Sequence, residues 1–188
     1  MRKIIIGFSG ATGVIYGIRL LEVLQNIPEV ETHLIMSSWA EENIKIETNY
    51  LPKKVKELAD FAYQPNDMSA PIASGSFKTE GMIILPCSVK TLSAISNGYA
   101  NNLMSRAADV AIKENRKLII CPRETPLNSL HLENMLKLSR IGVNIIPPMP
   151  SFYSHPRTID DIINHHIMKV LDQFEISVYD ALRWEGVR

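Results

Sequence analysis

The sequence predicts an α/β fold in which helices cover both faces of a mostly parallel sheet. Short apolar runs alternate along the chain with longer segments of helical periodicity. The apolar runs are continuous, as expected of strands that are covered on both faces. The length of 188 residues, with 46% hydrophobic residues, suits one compact domain, so residues 1–188 are expected to form a single domain.

Five strands are predicted from the apolar runs at residues 3–8, 31–36, 81–86, 117–121 and 143–146. Helical patterns between them predict helices at residues 14–24, 39–47, 52–61, 89–96, 103–115 and 129–141. A last helix is predicted after Thr158, which caps it with Asp161 three residues on, because apolar residues recur every 3.6 positions as far as Phe174. Residues 64–79 lack clear periodicity, and a loop that long inside a compact domain is usually functional or disordered.

The helix predicted at residues 129–141 has apolar residues around most of its circumference. Such a helix is either deeply buried or packed against another subunit. Because the domain is small, we favour a contact between subunits. The apolar residues are Leu130, Leu132, Met135, Leu136, Leu138 and Ile141.

Composition and charge argue against several classes of function. The 20 basic and 20 acidic side chains give a net charge of zero, whereas binding to nucleic acid or an anionic membrane needs a positive surplus. Cys87 and Cys121 each follow an apolar run and are interpreted as small buried hydrophobic residues in a reducing compartment. The apolar run near the start is too short for a signal peptide or a membrane span, so a cytoplasmic protein is expected. The five histidines show no metal-ligand spacing, and no metal site is predicted.

Polar loops follow four of the predicted strands, at residues 9–13, 37–38, 88–91 and 123–125. In parallel sheets, ligands bind beyond the carboxyl ends of the strands, where the strand order reverses. Three of these loops contain Ser or Thr and open helices, whose N–H groups and positive ends favour a phosphate. Helix capping alone explains any single loop equally well, but three such loops at one edge favour phosphate binding.

The first loop narrows the class of phosphate ligand. It is not a G-x-G-x-x-G fingerprint, because Ser9 stands at the second glycine position. A dinucleotide site also needs an acidic residue at the end of the second strand, where this chain has Met36 and Ser37. A mononucleotide such as FMN is therefore favoured. A serine hydrolase is disfavoured, because Ala11 stands at the fifth position of the nucleophile-elbow pattern and the loop follows the first strand.

Two glutamates are candidates for proton transfer. Glu124 ends an apolar strand next to Arg123, and it either forms a local ion pair or transfers a proton in a pocket that excludes water. Glu47 ends a helix, where its charge opposes the helix dipole. That placement indicates either a specific partner or a frayed, solvated helix end.

Arg106 and Lys113 are candidates for binding an anion. They lie seven residues apart on one predicted helix and therefore on one face of it. The alternative is that Lys113 pairs with Asp109, four residues before it.

Taken together, these residues resemble the UbiX-type flavin prenyltransferase family, including members described as the B subunit of phenolic acid decarboxylases. The resemblance extends from the first loop, residues 7–13, to Trp184. Each matching stretch alone is weak, but the ordered set is hard to obtain by chance. The most specific stretches are residues 73–77, 106–110, 131–136 and 150–153, together with Pro86-Cys87-Ser88-Val89-Lys90-Thr91-Leu92 and Pro122-Arg123-Glu124-Thr125-Pro126-Leu127.

The resemblance implies a three-layer Rossmann-like or flavodoxin-like flavoprotein domain that assembles into trimers and then a dodecamer, with active sites between subunits. It also implies a reaction in which reduced FMN, the co-substrate, is alkylated by dimethylallyl phosphate at N5 and then at C6. The product, prenylated FMN, serves a partner decarboxylase of the UbiD type. The family needs no metal.

The resemblance also implies roles for individual residues. Proton transfer during ring closure falls to Glu47 and Glu124, and Trp184 offers an aromatic face to the allylic cation. Lys and Arg stabilise the negative charge on the departing phosphate. The residues implied to hold FMN are Gly10, Ala11, Thr12, Ser37, Ser88, Val89, Lys90, Thr91 and Arg123. Those implied around the prenyl phosphate are Ser74, Gly75, Arg106, Lys113, Tyr153 and Lys169, with Glu124 beside the leaving oxygen.

Two positions depart from the family pattern. Lys169 stands where arginine is usual, which keeps the charge but loses the bidentate fork. Met68 stands where some members have tryptophan, so one wall of the prenyl pocket is expected to be softer.

Two other functions stay open at this point. One is an FMN-dependent cysteine decarboxylase of the same structural superfamily, although that class uses a histidine in the region where this chain has Glu47, Thr48 and Asn49. The other is a non-catalytic FMN-binding subunit of an aromatic acid decarboxylase.

Overall fold

Six parallel strands form one sheet in the computed structural model, which describes residues 1–178, 183–184 and 186. The strand order is β3-β2-β1-β4-β5-β6, so the order reverses between β1 and β4. This is the order of a doubly wound Rossmann-like sheet and confirms the predicted fold class. The strands are β1 (Arg2–Phe8), β2 (Val30–Met36), β3 (Phe61–Tyr63), β4 (Gly81–Cys87), β5 (Lys117–Pro122) and β6 (Asn144–Ile145).

Helices connect the strands and cover both faces of the sheet. Side-chain caps begin most of them: Ser37, Ser88, Asn102, Asn128 and Thr158 each accept a hydrogen bond from an amide in the first turn. In the described part of the chain, none of the helices is long and apolar enough to cross a membrane. The helices are α1 (Val14–Gln25), α2 (Ser38–Glu47), α3 (Pro52–Lys56), α4 (Val89–Ser96), α5 (Leu103–Lys113), α6 (Ser129–Arg140) and α7 (Ile159–Asp172), with a 3₁₀ turn at Pro71–Ala73.

The core lies in two layers, one on each face of the sheet. Ile4, Ile6 and Phe8 of β1 pack with α1 and α7 on one face, whereas Ile5 packs with α4 and α5 on the other. Neighbouring residues of the strand are therefore buried on opposite faces, which explains its unbroken apolar run. Cys87 is fully buried, as predicted, and burial raises the pKa of its thiol to about 12.

The segment after α3 differs from the sequence prediction. The helix predicted at residues 52–61 ends at Lys56, and Phe61 begins the edge strand β3. The ring of His33 on β2 stacks on Phe61 with 5.1 Å between ring centroids, and its Nδ1 lies 3.0 Å from the hydroxyl of Tyr63. These contacts fix three residues as a strand although no local apolar pattern indicates one.

Helix α6 is less buried than its composition suggests. Among its residues only Leu138 is buried, at 1% exposure. Leu130, Leu132 and Leu136 are each at least half exposed, and Ile141, which follows the helix, is 57% exposed. Deep burial within the chain is therefore excluded for most of this face, and a contact between subunits stays the prediction.

His166 on α7 gives a prediction about stability at low pH. The side chain is 4% exposed, and its Nε2 has no hydrogen-bond partner in the described part of the chain. Burial, and then repulsion from His165, lowers the pKa of His166 to about 4. Because the unfolded chain binds this proton at about pH 6.5, stability is expected to fall as the pH drops from 6.5 towards 4, by about 3 kcal/mol in all.

Thermal unfolding measured at half-unit steps from pH 7.5 to 4 checks this expectation. In the variant His166→Leu, the fall in melting temperature between pH 6.5 and 4 should be smaller, because no proton binds at this position in either the folded or the unfolded state. Parallel curves for the two proteins would contradict the assignment.

Candidate active site

The four polar loops lie at the carboxyl edge of the sheet and are connected to one another by hydrogen bonds. Ser9, which is 1% exposed, lies where the strand order reverses. Its Oγ accepts a hydrogen bond of 2.7 Å from the amide of Ser88 and donates one of 3.1 Å to the carbonyl of Pro86. Backbone hydrogen bonds connect the loops after β2 and β5 to the ends of neighbouring strands. The amide of Ser37 donates to the carbonyl of Phe8, and the amide of Arg123 donates to the carbonyl of Cys87.

Two helix N-termini at this edge have amides left for a ligand. The hydroxyl of Ser88 accepts from the amide of Thr91, and its carbonyl accepts from Leu92. The first-turn amides of Val89 and Lys90 have no intrahelical acceptor and are left to bind an anion. The same arrangement recurs at α2, where the hydroxyl of Ser37 accepts from Ala40 at 3.1 Å.

The N-terminus of α1 differs from this pattern. Gly13 precedes the helix with φ of +94°, a conformation that suits glycine. The Oε2 atom of Glu47, at the end of α2, accepts hydrogen bonds from the amides of Gly13 at 2.8 Å and Val14 at 3.3 Å. Of the two alternatives left open for Glu47, the structure shows the specific partner. Glu47 occupies an end of α1 that we expected to be free for phosphate.

The loop between β1 and α1 lies unusually close to α2. A Cβ atom added to Gly10 would lie 2.7 Å from Cβ of Trp39, which is closer than side chains tolerate. Ala11 is buried, and its carbonyl accepts a hydrogen bond of 3.0 Å from Nδ2 of Asn43. Gly10 and Thr12 are exposed, so the loop presents a thin backbone surface to the solvent.

Glu124 and Arg123 follow β5 at the same edge, and both are exposed. Among the ion pairs of the described residues, none joins these two side chains, so the local pair considered above does not form. Instead, Oε1 of Glu124 accepts a hydrogen bond of 2.9 Å from the amide of Thr125.

Arg106 and Lys113 line one open cavity of about 550 Å³ together with Ser74 and Gly75. Arg106 pairs with Asp109 at 2.7 Å and donates from Nε to the carbonyl of Ala73 at 3.0 Å. The two predicted cations therefore do face one cavity, as their spacing indicated.

Lys113 has a different acidic partner from the one considered in the sequence. It pairs with Glu114, whereas Asp109 is taken by Arg106. Each cation of the cavity is therefore balanced by a neighbouring carboxylate. A bound phosphate has to compete with these carboxylates for the two cations.

Lys113, at one end of the Arg106–Lys113 cavity, lies at the opposite edge of the sheet from the loops. Helix α5 ends at Lys113, four residues before β5 begins at Lys117, which places Lys113 near the amino edge of the sheet. The loops lie at the opposite edge, a strand length of roughly 20 Å away. One phosphate cannot touch Lys113 and the loop amides of the same chain.

The remaining predicted residues form a third group. The hydroxyl of Tyr153 lies 2.8 Å from Nε2 of His165, and its ring meets that of Trp184 edge-on at 5.6 Å. Lys169 is exposed on α7. The described lining of the Arg106–Lys113 cavity includes none of the three predicted residues of this group.

Sequence reasoning missed three residues that shape the loop at residues 10–14. Ser9 appeared only as a departure from the glycine fingerprint, and Trp39 and Asn43 were given no role. Trp39, Asn43 and Glu47 are spaced four apart on one helix, which is a signal that the sequence does contain. Within the described residues, no group of three His, Cys, Asp or Glu side chains is placed to hold a metal ion.

Comparison with known proteins identifies the family. The Flavoprotein family matches residues 1–171. A probable UbiX-like flavin prenyltransferase of Escherichia coli is 55% identical over 185 residues, which cover 98% of this chain and 94% of that protein. The flavin prenyltransferase LpdB of Lactiplantibacillus plantarum is 53% identical over 186 residues, which cover 99% of this chain and all of that protein.

Solved structures agree with these relatives. The dodecameric FMN-dependent UbiX-like decarboxylase of Escherichia coli O157:H7 superposes with a TM-score of 0.97 at 55% identity, over 98% of this chain and 100% of that one. AnUbiX (PadA1), solved in complex with FMN and dimethylallyl pyrophosphate, superposes with a TM-score of 0.96 at 47% identity, over 100% of this chain and 99% of that one. The FMN-dependent cysteine decarboxylase SpaF, at 16% identity and a TM-score of 0.63, shares the fold alone. The chain belongs to the UbiX-like flavin prenyltransferase family of flavoproteins.

Proposed function

We propose that this chain joins the dimethylallyl group of dimethylallyl phosphate to N5 and C6 of reduced FMN and releases prenylated FMN. The observation that supports this most is the match to flavin prenyltransferases at more than 50% identity over almost the whole chain. The FMN-dependent cysteine decarboxylase is disfavoured, because those proteins are similar in fold only.

The carboxyl edge of the sheet fits FMN. The open amides of Val89 and Lys90, with the hydroxyls of Ser88 and Thr91 beside them, suit a phosphate at a helix N-terminus. The absence of a side chain at Gly10 lets the loop lie against α2, and the exposed backbone of the loop is left to meet a flat ring system. When bound, reduced FMN supplies the nucleophilic atoms N5 and C6. We assign the same edge residues to FMN as the family resemblance implies, with Thr12, Ser37 and Arg123 among them.

Arg106 and Lys113 are assigned to the phosphate of the prenyl donor. Breaking its C–O bond leaves negative charge on the phosphate oxygens, and two fixed cations stabilise that charge. The hydroxyl of Ser74 and the backbone at Gly75 line the same cavity and add hydrogen-bonding groups. Asp109 and Glu114 hold the cations before the donor binds.

Glu124 and Glu47 are assigned to proton transfer. Glu124 stands exposed at the end of β5, within the edge proposed for the flavin. Glu47 lies beside Gly13, and its Oε1 takes no part in the two helix-capping bonds made by Oε2. The rings of Tyr153 and Trp184 offer aromatic faces to the allylic cation, and Lys169 adds a positive charge near the donor phosphate.

A second copy of the chain is proposed to complete each site. Lys113 and the FMN loops of one chain lie at opposite edges of the sheet, so both reach one substrate pair only if two copies meet. The exposed apolar residues of α6 provide surface for such contacts. Assembly into a dodecamer, a cytoplasmic location and delivery of the product to a UbiD-type decarboxylase are part of the same proposal.

Turnover tests the proposal. Purified protein is incubated without oxygen with reduced FMN and dimethylallyl phosphate, and the mass of the flavin is measured by mass spectrometry. A product heavier by one C5 unit supports catalysis. Unchanged FMN bound at high occupancy would instead support a non-catalytic flavin-binding subunit, and an absence of bound flavin would reject both.

Replacing Glu124 by glutamine separates its chemistry from binding. The amide keeps the size of the side chain but cannot take up a proton, so the rate of ring closure is expected to fall by about 10²–10⁴-fold. FMN affinity, measured by flavin fluorescence, should stay within about twofold of the wild type. Loss of FMN binding in this variant would show that Glu124 is misassigned as an acid–base group.

A further inference from the structure

Three side chains of α2 contact the loop at residues 10–14. From the start of α2 to its end, they contact the start, the middle and the end of the loop in turn. Trp39, Asn43 and Glu47 are four residues apart and share one face of the helix. Trp39 lies against Gly10 at the start of the loop, Asn43 bonds its middle, and Glu47 accepts hydrogen bonds from the amides at its end. This face spans about 12 Å along the helix axis. The start, middle and end of the loop are therefore each held by the same helix.

Asn43 makes the middle contact, and the proposed mechanism gives it no role. Nδ2 of Asn43 donates a hydrogen bond of 3.0 Å to the carbonyl of Ala11. Ala11 is only 7% exposed, and a buried carbonyl that loses its partner is costly. Helix α2 itself is anchored, because its residues Ala40 and Ile44 are fully buried in the core.

We infer that Asn43 is a positioning residue that orients the peptide unit between Ala11 and Thr12 in the FMN-binding loop. The carbonyl of Ala11 and the amide of Thr12 belong to one planar peptide unit and point in opposite directions. By holding the carbonyl towards α2, Asn43 turns the amide of Thr12 away from that helix, towards the side on which a ligand can reach it. The inference rests on the proposed function, and it adds to it a residue that lies outside the binding loops.

The variant Asn43→Leu tests the inference, because it keeps the branched shape of the side chain and removes the donor. We expect the Kd for FMN to rise about 5- to 10-fold, which is the value of one hydrogen bond. The KM for dimethylallyl phosphate should not change. The melting temperature of the FMN-free protein should fall by a few degrees, because the buried carbonyl of Ala11 loses its hydrogen-bond donor. Asn43→Gln retains an amide and is expected to recover most of the wild-type affinity.

Lys45→Ala is the matched control on the same helix. Lys45 is exposed, and its partner among the described residues is Glu42, at 2.7 Å, so its loss should leave FMN affinity unchanged. If Asn43→Leu does not fold, Asn43→Ala removes the same donor without added bulk and is measured against the same expectation.

Two results would overturn the inference alone. One is wild-type FMN affinity in Asn43→Leu. The other is equal weakening in Asn43→Leu and Asn43→Gln, since the size of the side chain would then matter and the donated hydrogen bond would not. A wild-type chain that does not bind FMN would overturn the proposed function itself, and this inference with it.

Discussion

Replacing Lys113 by alanine is expected to lower the turnover of dimethylallyl phosphate by about 10²–10³-fold, the usual effect of removing one fixed charge from a developing anion. FMN affinity should stay unchanged, because Lys113 is assigned to the donor phosphate, whereas the FMN phosphate is assigned to the amides at the start of α4. Lys113→Arg keeps the charge and should recover part of the rate. Stopped-flow measurement of flavin absorbance under anaerobic conditions gives the rate, and Lys54→Ala, which breaks the exposed pair with Glu57, is the control.

A mixing experiment then locates the site between copies. The variant Lys113→Ala is co-expressed with a second variant that binds FMN poorly, Gly10→Val, and each alone is expected to have little activity. If a site takes its loops from one copy and its cations from another, about a quarter of the sites in a random mixture contain two intact halves. Activity near a quarter of the wild-type value supports the shared site. Activity no higher than that of either variant would place both halves in one chain.

Much of the sheet is predictable from local sequence. Strands β1, β4 and β5 are buried on both faces, and each contains a continuous apolar run that needs no knowledge of its neighbours. Strand β2 is also buried, but only residues 34–36 form an apolar run, after Glu31, Thr32 and His33. Strand β3 is different, because Phe61 is 49% exposed and the strand has three residues. It is held by His33, about 30 positions away in the sequence, and such a contact leaves no local pattern.

The candidate site is predictable in part for similar reasons. Parallel topology brings the loops after each strand to one edge, and helical spacing brings Arg106 and Lys113 to one cavity. The choice of acidic partner is not predictable in this way, because Asp109 lies within reach of both cations and pairs with Arg106. The capping of α1 by Glu47 is equally hidden, since the two lie more than 30 residues apart.

Replacing Gly10 by valine is expected to weaken FMN binding by at least about 100-fold and leave the fold intact. The new Cβ would lie 2.7 Å from Cβ of Trp39, so the loop has to move away from α2 and the backbone surface that meets the flavin is lost. The FMN-free protein is expected to stay folded but to lose some stability, because the shifted loop loses contacts with α2, among them the hydrogen bond from Asn43 to the carbonyl of Ala11. Isothermal titration with FMN and thermal unfolding of the FMN-free protein measure the two quantities separately.

Gly98→Ala is the matched control for this prediction and should lower stability without lowering FMN affinity. Gly98 has φ of +66°, which strains any residue with a side chain, yet a Cβ there meets nothing within 4 Å. The FMN-free protein is therefore expected to lose about 1 kcal/mol of stability with no change in FMN affinity. The two glycines thus separate a steric demand of the binding loop from a conformational demand of the fold. Equal effects of both substitutions on FMN affinity would mean that the 2.7 Å approach of α2 has no special part in binding.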